Sequence, residues 1–285
     1  MQICRTISDL RAEVAFLKAQ RKTIGLVPTM GALHAGHMSL VAAAKARNDA
    51  VIATIFVNPT QFGEAADLAA YPRTEAADCA MLAAADVDAV FMPDAGEMYP
   101  DGDETIVETT QLANMLHGLV RPGHYRGVTT VVCKLLNLAQ ADHAYFGEKD
   151  YQQLQVIRRM ARDLFIPTRI NGVPTVREAD GLAMSSRNAR LTPEDRAAAV
   201  VLSQSLTRAE DVAASGGTVA DIDAAIRAHI ATQPRGRIVG LDIVQALTLA
   251  PVAGRPDGTI GIMLSVAFGP EDNPVLLLDQ REITL

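Results

Sequence analysis

Two histidines, one lysine and a Ser-Ser-Arg triplet are the side chains with the strongest claim on phosphate in this sequence. His34 and His37 lie in the stretch Val27-Pro28-Thr29-Met30-Gly31-Ala32-Leu33-His34-Ala35-Gly36-His37. Three residues apart at a helix start, two imidazoles stand side by side and can donate to a polyphosphate. Zinc is the weaker reading. A metalloprotease pair needs i, i+4 spacing and a Glu between the histidines.

A second segment, Asn58-Pro59-Thr60-Gln61-Phe62, offers amides that bind carboxylate and hydroxyl groups without adding charge. The third is Phe146-Gly147-Glu148-Lys149-Asp150-Tyr151-Gln152-Gln153. There Gly147 permits close backbone approach and Lys149 supplies a point charge. Gln153 lies one helical turn beyond Asp150 and faces the same way. The fourth is Met184-Ser185-Ser186-Arg187 after Asp180-Gly181, two hydroxyls and a guanidinium suited to clamping a phosphate. Arg121 to Arg126 forms a further basic loop. Taken singly, each segment also has a plain structural reading. One histidine caps its helix while the other is exposed, Asn58 to Phe62 is a Pro-containing turn, Asp150 is an N-cap, and Met184 to Arg187 is a solvated loop. His117 and His143 read as structural.

The elements that must position these groups follow from hydrophobic periodicity. Apolar runs at 23–28, 50–57, 89–92 and 143–146 read as strands, with helices at 37–48, 75–85, 128–140 and 150–164 between or after them. Near-continuous apolar strands alternating with helices predict a parallel sheet covered on both faces. The His34/His37 and Lys149 segments each run from a strand into a helix. Open α/β sheets bind ligands there, and a helix N-terminus favours phosphate. After about residue 176 the pattern changes. A helix capped by Thr192 with Pro193 at its first position ends at Gly216-Gly217, Thr218 caps a second, and strands follow at 238–248, 259–267 and 275–279. The chain thus divides into a domain at 1–176 and a smaller α+β domain at 177–285.

Composition narrows the function. Of 285 residues, 49% are hydrophobic and 21% charged, which fits a folded globular chain rather than a disordered one. A net charge of −7, no Trp and 4% aromatic residues give no footprint for nucleic acid. Cys4, Cys79 and Cys133 are too far apart for a zinc ribbon or dithiol, and such a count suits a reducing cytosol. Arg5, Asp9, Arg11, Glu13 and Lys18 interrupt the apolar residues of Met1–Lys22, unlike a signal peptide, and no apolar run approaches a membrane span. An ATP-using α/β enzyme is what the residues themselves support.

The sequence resembles the pantothenate synthetase (pantoate–β-alanine ligase) family, within the nucleotidylyltransferases that carry a His-x-Gly-His motif. The resemblance spans essentially the whole chain. It rests on PTMGALHAGH at 28–37, FVNPTQF at 56–62, YPR at 71–73, RPGHYRGV at 121–128, FGEKDYQQ at 146–153 and PTVREADGLAMSSRN at 174–188. The His-x-Gly-His motif alone is widely shared; its combination with the last two segments is specific. Ala35 occupies the motif's variable position.

The resemblance implies a Rossmann-like, doubly wound sheet with the C-terminal domain as a lid. It also implies ATP-dependent joining of pantoate to β-alanine through a pantoyl adenylate. By similarity, Met30, Gly31, Ala32, Leu33, His34, Ala35, Gly36 and His37 line the ATP site. His34 and His37 stabilise the phosphates, and His37 is the candidate proton donor to pyrophosphate. Gly147, Glu148, Lys149 and Asp150 hold the nucleotide, with Lys149 on the phosphates and Asp150 on the ribose side. Val176 meets adenine through its backbone, and Met184, Ser185, Ser186 and Arg187 close over the triphosphate. Gln61 and Gln153 hold pantoate, with Asn58 beside them, and Gln61 also serves β-alanine. Mg²⁺ accompanies ATP, with Asp78 as its candidate ligand. A cytoplasmic homodimer is expected, with no nucleic-acid or membrane partner. Two rivals differ in outcome: a nucleotidylyltransferase that releases a stable nucleotidylated product, and a nucleotide sensor that binds ATP without turnover.

Overall fold

The computed structural model describes residues 1–285, which form two units. The first comprises Met1–Gly147 and Gln152–Val173, the second Glu148–Tyr151 and Pro174–Leu285. No helix is long and apolar enough to cross a membrane.

In the first unit six parallel strands stand in the order β1-β4-β3-β2-β5-β6. They are β1 (Gln2–Cys4), β2 (Ile24–Thr29), β3 (Ala50–Ile55), β4 (Ala89–Phe91), β5 (His143–Gly147) and β6 (Arg169–Val173). β2, β3 and β4 are almost wholly buried, so their side chains are apolar on both faces and no alternation is left. From β2 the chain winds outward through β3 to β4, while β5 and β6 extend the other side. The reversal point falls between β2 and β5, and both chemistry-bearing turns leave the sheet there.

The sequence reading lacks β1 and β6, the two edge strands. β1 has three residues with Ile3 exposed, and β6 carries Arg169, Asn171 and Gly172, so neither has the apolar run of a covered strand. It also lacks the helix Ile7–Ala19, which Thr6 caps. The helix predicted at 128–140 begins at His124, one residue after Gly123 in the left-handed region.

The second unit packs helices on a three-stranded antiparallel sheet, β7 (Arg237–Gln245), β8 (Ile260–Phe268) and β9 (Val275–Ile283). β8 is buried at every position and is the centre of that core, with Leu202, Leu206, Ile222 and Ile226 packed in the same cluster. At roughly 1.5–3 kcal/mol for each large apolar side chain removed from water, this cluster is what holds the small unit folded. Thr192 and Thr218 cap their helices as predicted, but the first helical run is two pieces, Pro193–Ala198 and Val201–Ala214. β9 runs four residues past its predicted end, because Gln280 to Ile283 continue the antiparallel pairing with Met263 to Ile260 of β8.

Candidate active site

The turn after β2 carries the two candidate histidines. Thr29 Oγ1 donates to Thr54 O and accepts from Gly31 N, which anchors the turn to β3. Gly31 (φ 85°) and Ala32 (φ 51°) are successive left-handed residues. Ala32 N donates to Asp78 Oδ2 at 2.9 Å and Leu33 N to Asp78 Oδ1 at 2.8 Å. His34 then caps the helix Ala35–Lys45.

The two histidines form a reciprocal capping box, the role usually filled by Ser/Thr and Glu/Gln. His34 N donates to His37 Nδ1 at 3.3 Å, and Gly36 N donates to His34 Nδ1 at 3.1 Å. Their ring centroids are 4.1 Å apart. A ring nitrogen that accepts an N–H cannot carry a proton itself, so the neutral ring holds its proton on Nε2. Both imidazoles therefore carry their donor N–H on Nε2. The structure corrects the sequence reading in two ways. Both histidines cap, and capping fixes the tautomer that donates rather than replacing it. The backbone N–H groups of Gly31, Ala32, Leu33, His34, Gly36 and His37 all bond within the chain, so these amides are not aimed at a ligand.

Asp78 is a further correction. The resemblance assigns it to a metal, but it is 2% exposed and both oxygens accept backbone N–H groups, with Thr74 Oγ1 donating to each from 3.1 Å. No group of three or more His, Cys, Asp or Glu side chains is arranged to hold a metal ion.

Asn58 moves from substrate contact to support. It is 1% exposed, and its Oδ1 accepts from Tyr99 Oη at 2.8 Å and Thr60 Oγ1 at 3.0 Å. That fixes the amide so that Nδ2 donates to Gln61 Oε1 at 2.9 Å and Gly127 O at 3.2 Å. With Oε1 occupied, Gln61 turns its Nε2 donors away from Asn58. His124 Nδ1 lies 2.8 Å from Gln61 O and steadies the same residue, so the basic loop supports the site through its histidine. Gly127 has to be glycine, because a Cβ there would come 2.4 Å from Thr60 O. Sequence reasoning missed Tyr99. It lies 41 residues from Asn58, and no local pattern joins them. Lys134 Nζ sits 4.3 Å from the Tyr99 ring centroid, and burial raises the phenol above its ordinary value, which keeps it a donor. Gln153, in the helix Tyr151–Asp163, is half-buried, while its neighbour Gln152 is buried and bonds Leu112 O and Met115 O.

Gly147 ends β5 in the first unit, while Glu148, Lys149, Asp150, Val176 and Met184 to Arg187 belong to the second. Lys149 Nζ lies 3.7 Å from Asp150 Oδ1, with its side chain 19% exposed. Val176 O accepts from Met184 N, closing a short hairpin that carries the Ser-Ser-Arg triplet at its end. Ser185 caps the 3₁₀ turn Ser186–Arg190 by accepting from Arg187 N at 3.2 Å. Glu178 frames the triplet. Its Oε1 accepts from Asn188 Nδ2 and its Oε2 from Arg196 Nη2, both at 2.7 Å, while Arg196 Nη1 also meets Asp180 at 2.7 Å.

Arg196 holds both carboxyls below their ordinary values of 4.5 and 3.8, chiefly by hydrogen bonding. A carboxylate with a depressed folded value stabilises the fold above the unfolded value, and that contribution is lost as pH falls through the folded one. Melting temperature is therefore expected to drop on acidification below about pH 4.5, the ordinary Glu value. Arg196→Gln should flatten that acid limb, as read by melts between pH 7 and 3.

Comparison with known proteins identifies the family and matches the fold. The family model described as pantoate–β-alanine ligase matches residues 2–281. A pantothenate synthetase of Agrobacterium fabrum is 51% identical over 284 residues, covering 99% of this chain and 96% of that protein. The crystal structure of pantothenate synthetase from Thermus thermophilus superimposes with a TM-score of 0.91 at 44% identity, covering 100% of both chains. That of pantoate–β-alanine ligase from Francisella tularensis, complexed with β-γ ATP and β-alanine, gives 0.78 at 35% identity, covering 99% of this chain and 97% of that one. A full-length family match and this degree of identity, over the fold just described, place the chain in the pantoate–β-alanine ligase family.

Proposed function

We propose that this protein condenses (R)-pantoate with β-alanine at the expense of ATP, giving pantothenate, AMP and pyrophosphate. The observation that carries the reading is the histidine capping box beside the sheet's reversal point, which leaves the N–H of each ring on Nε2, in a chain of this family. The Francisella relative, which bears ATP and β-alanine as ligands, supports the same substrates here.

A free carboxylate is a poor acyl donor because its leaving group would be oxide or hydroxide. In the first step a pantoate oxygen bonds to the α-phosphorus while the bond to the β-phosphate bridging oxygen breaks, and pyrophosphate leaves with that electron pair. In the second the β-alanine nitrogen bonds to the acyl carbon, AMP departs with the C–O electron pair, and the nitrogen loses a proton. Holding both partners in one site supplies much of the rate. His34 and His37 donate hydrogen bonds to the phosphates, and His37 meets departing pyrophosphate through Nε2–H; with Nδ1 already accepting from His34 N, the neutral ring bonds that oxygen and keeps its proton. Lys149, Ser185, Ser186 and Arg187 neutralise charge on the triphosphate. Gly147, Glu148, Asp150, Val176 and Met184 seat the nucleotide. Gln61 and Gln153 hold pantoate, and Gln61 also serves β-alanine. We assign Mg²⁺ to the nucleotide as part of the substrate, because the carboxylates present do not form a site for it. The lid role of 177–285, a homodimer and a cytoplasmic setting complete the proposal; three unpaired cysteines support the last.

The test is exchange of labelled pyrophosphate into ATP with Mg²⁺ and without β-alanine. Exchange that requires pantoate is expected. ATP binding with no pantoate-dependent exchange would refute the reading in favour of the sensor. A stable nucleotidylated product from another acceptor would favour the nucleotidylyltransferase. Gln153→Ala is expected to raise the pantoate KM about tenfold or more while ATP binding holds within about twofold. An unchanged pantoate KM removes Gln153 from that role.

A further inference from the structure

We infer that Asp78 is a positioning residue that acts through the strained turn Gly31–Leu33 to set the aim of His34 and His37; this rests on the phosphate role proposed for those histidines. Three observations meet at one carboxylate. First, its two oxygens accept the N–H groups of consecutive residues, Ala32 and Leu33, so it grips the backbone at two points rather than one. Second, the gripped residue Ala32 has φ 51°, directly after Gly31 at φ 85°. An alanine in the left-handed region persists only where its surroundings over-determine it, and this carboxylate supplies that constraint. Third, the carboxylate is itself fixed. It lies on the helix Glu75–Ala84, is 2% exposed, and receives Thr74 Oγ1 on both oxygens. A Cβ on Gly31 would come 3.0 Å from Asp78 Oδ2, so the turn and the carboxylate fit closely.

The chain of cause is short. His34 follows Leu33 immediately, and its extended backbone opens the helix on which His37 stands. The direction of both Nε2–H groups therefore follows from where the turn delivers residue 34. Asp78 exerts its effect on the two rings through the main chain that it grips. Asn at this position keeps the volume but carries only one acceptor oxygen, so its –NH₂ faces one of the two backbone N–H donors. The grip is lost and Ala32 leaves the left-handed region. Glycine at position 32 adopts that conformation without the steric cost, so Ala32→Gly should restore the turn once Asp78 no longer enforces it.

The experiment uses wild type, Asp78→Asn, Ala32→Gly and the double variant, full length, in pantoate-dependent pyrophosphate exchange and in thermal melting. Asp78→Asn is expected to slow exchange about tenfold or more, with the ATP KM rising and the pantoate KM within about twofold. Adding Ala32→Gly to Asp78→Asn should recover exchange about threefold or more. It should also raise the melting temperature of Asp78→Asn by about 2–4 °C more than it raises that of wild type. Asp78→Asn exchanging within about threefold of wild type would overturn the inference, as would equal effects of Ala32→Gly in both backgrounds. Absence of exchange in the wild type would instead overturn the proposed function, and the melting comparison would still decide the turn.

Discussion

Lys149→Ala is expected to lower the rate of pantoate-dependent pyrophosphate exchange by about 10²–10³-fold, the loss typical of one preorganised charge-stabilising donor. Adenylation spreads negative charge over the transferring phosphoryl group and the departing pyrophosphate. A compact ammonium opposes that charge most strongly where water is scarce. The Lys149 side chain is largely withdrawn from solvent, and the pair with Asp150 is loose at 3.7 Å, so the cation is held near its post without being neutralised by a tight bond. A solvated lysine on a surface loop would contribute far less, since exposed ion pairs give about 0–1 kcal/mol. Lys149→Arg should recover only part of the rate, because a planar guanidinium does not place charge at the same point. A loss under tenfold for Lys149→Ala would remove this residue from the phosphates.

His37→Ala is expected to cost a similar 10²–10³-fold in the same assay, but it combines two losses. It removes the Nε2–H donor, at roughly 2.7–4 kcal/mol of transition-state stabilisation, and the Nδ1 acceptor of His34 N, for which a lost cap bond costs about 1 kcal/mol. A second substitution separates them. Asn is among the best N-cap residues, so His34→Asn should keep the melting temperature close to wild type while exchange still falls. Equal fractional losses in rate and stability for His34→Asn would mean that the ring only caps. Under tenfold loss for His37→Ala would sink its assignment to the phosphates.

The fold was legible where burial is complete and obscure where it is not. β2 to β5 announced themselves because both faces are covered and polar residues are excluded. β1 and β6 lie at the sheet's margins, where Arg169, Asn171 and an exposed Ile3 are tolerated, so no apolar run marks them. The far end of β9 was hidden because Gln280, Arg281 and Glu282 break the apolar run that marks its start.

Of the candidate site, the residue types and local spacing were readable: two imidazoles three apart, and amides after β3. What spacing could not convey was which atoms face inward. Asn58 looks like a ligand contact in sequence, yet Tyr99 and Gly127 take its polar atoms and make it a support for Gln61. Asp78 looks like a metal carboxylate, yet its partners are backbone N–H groups 45 and 46 residues earlier. Each is a long-range hydrogen bond, and periodicity carries no information about those.

The reciprocal histidine cap has a consequence for how this kind of site can diverge. Where a glycine-rich loop cradles an anion, the gripping atoms are main-chain amides, and only a proline deletes one of them. Here the amides around His34 and His37 are taken up inside the turn. On the proposed phosphate role, the hold on the anion would then rest on side chains, each of which one codon change can erase, retune or transplant. Such a turn is heritable as scaffold while its selectivity drifts. Related sheets can keep the same backbone path, exchange the gripping groups one by one, and arrive at different acceptors without ever redesigning the loop.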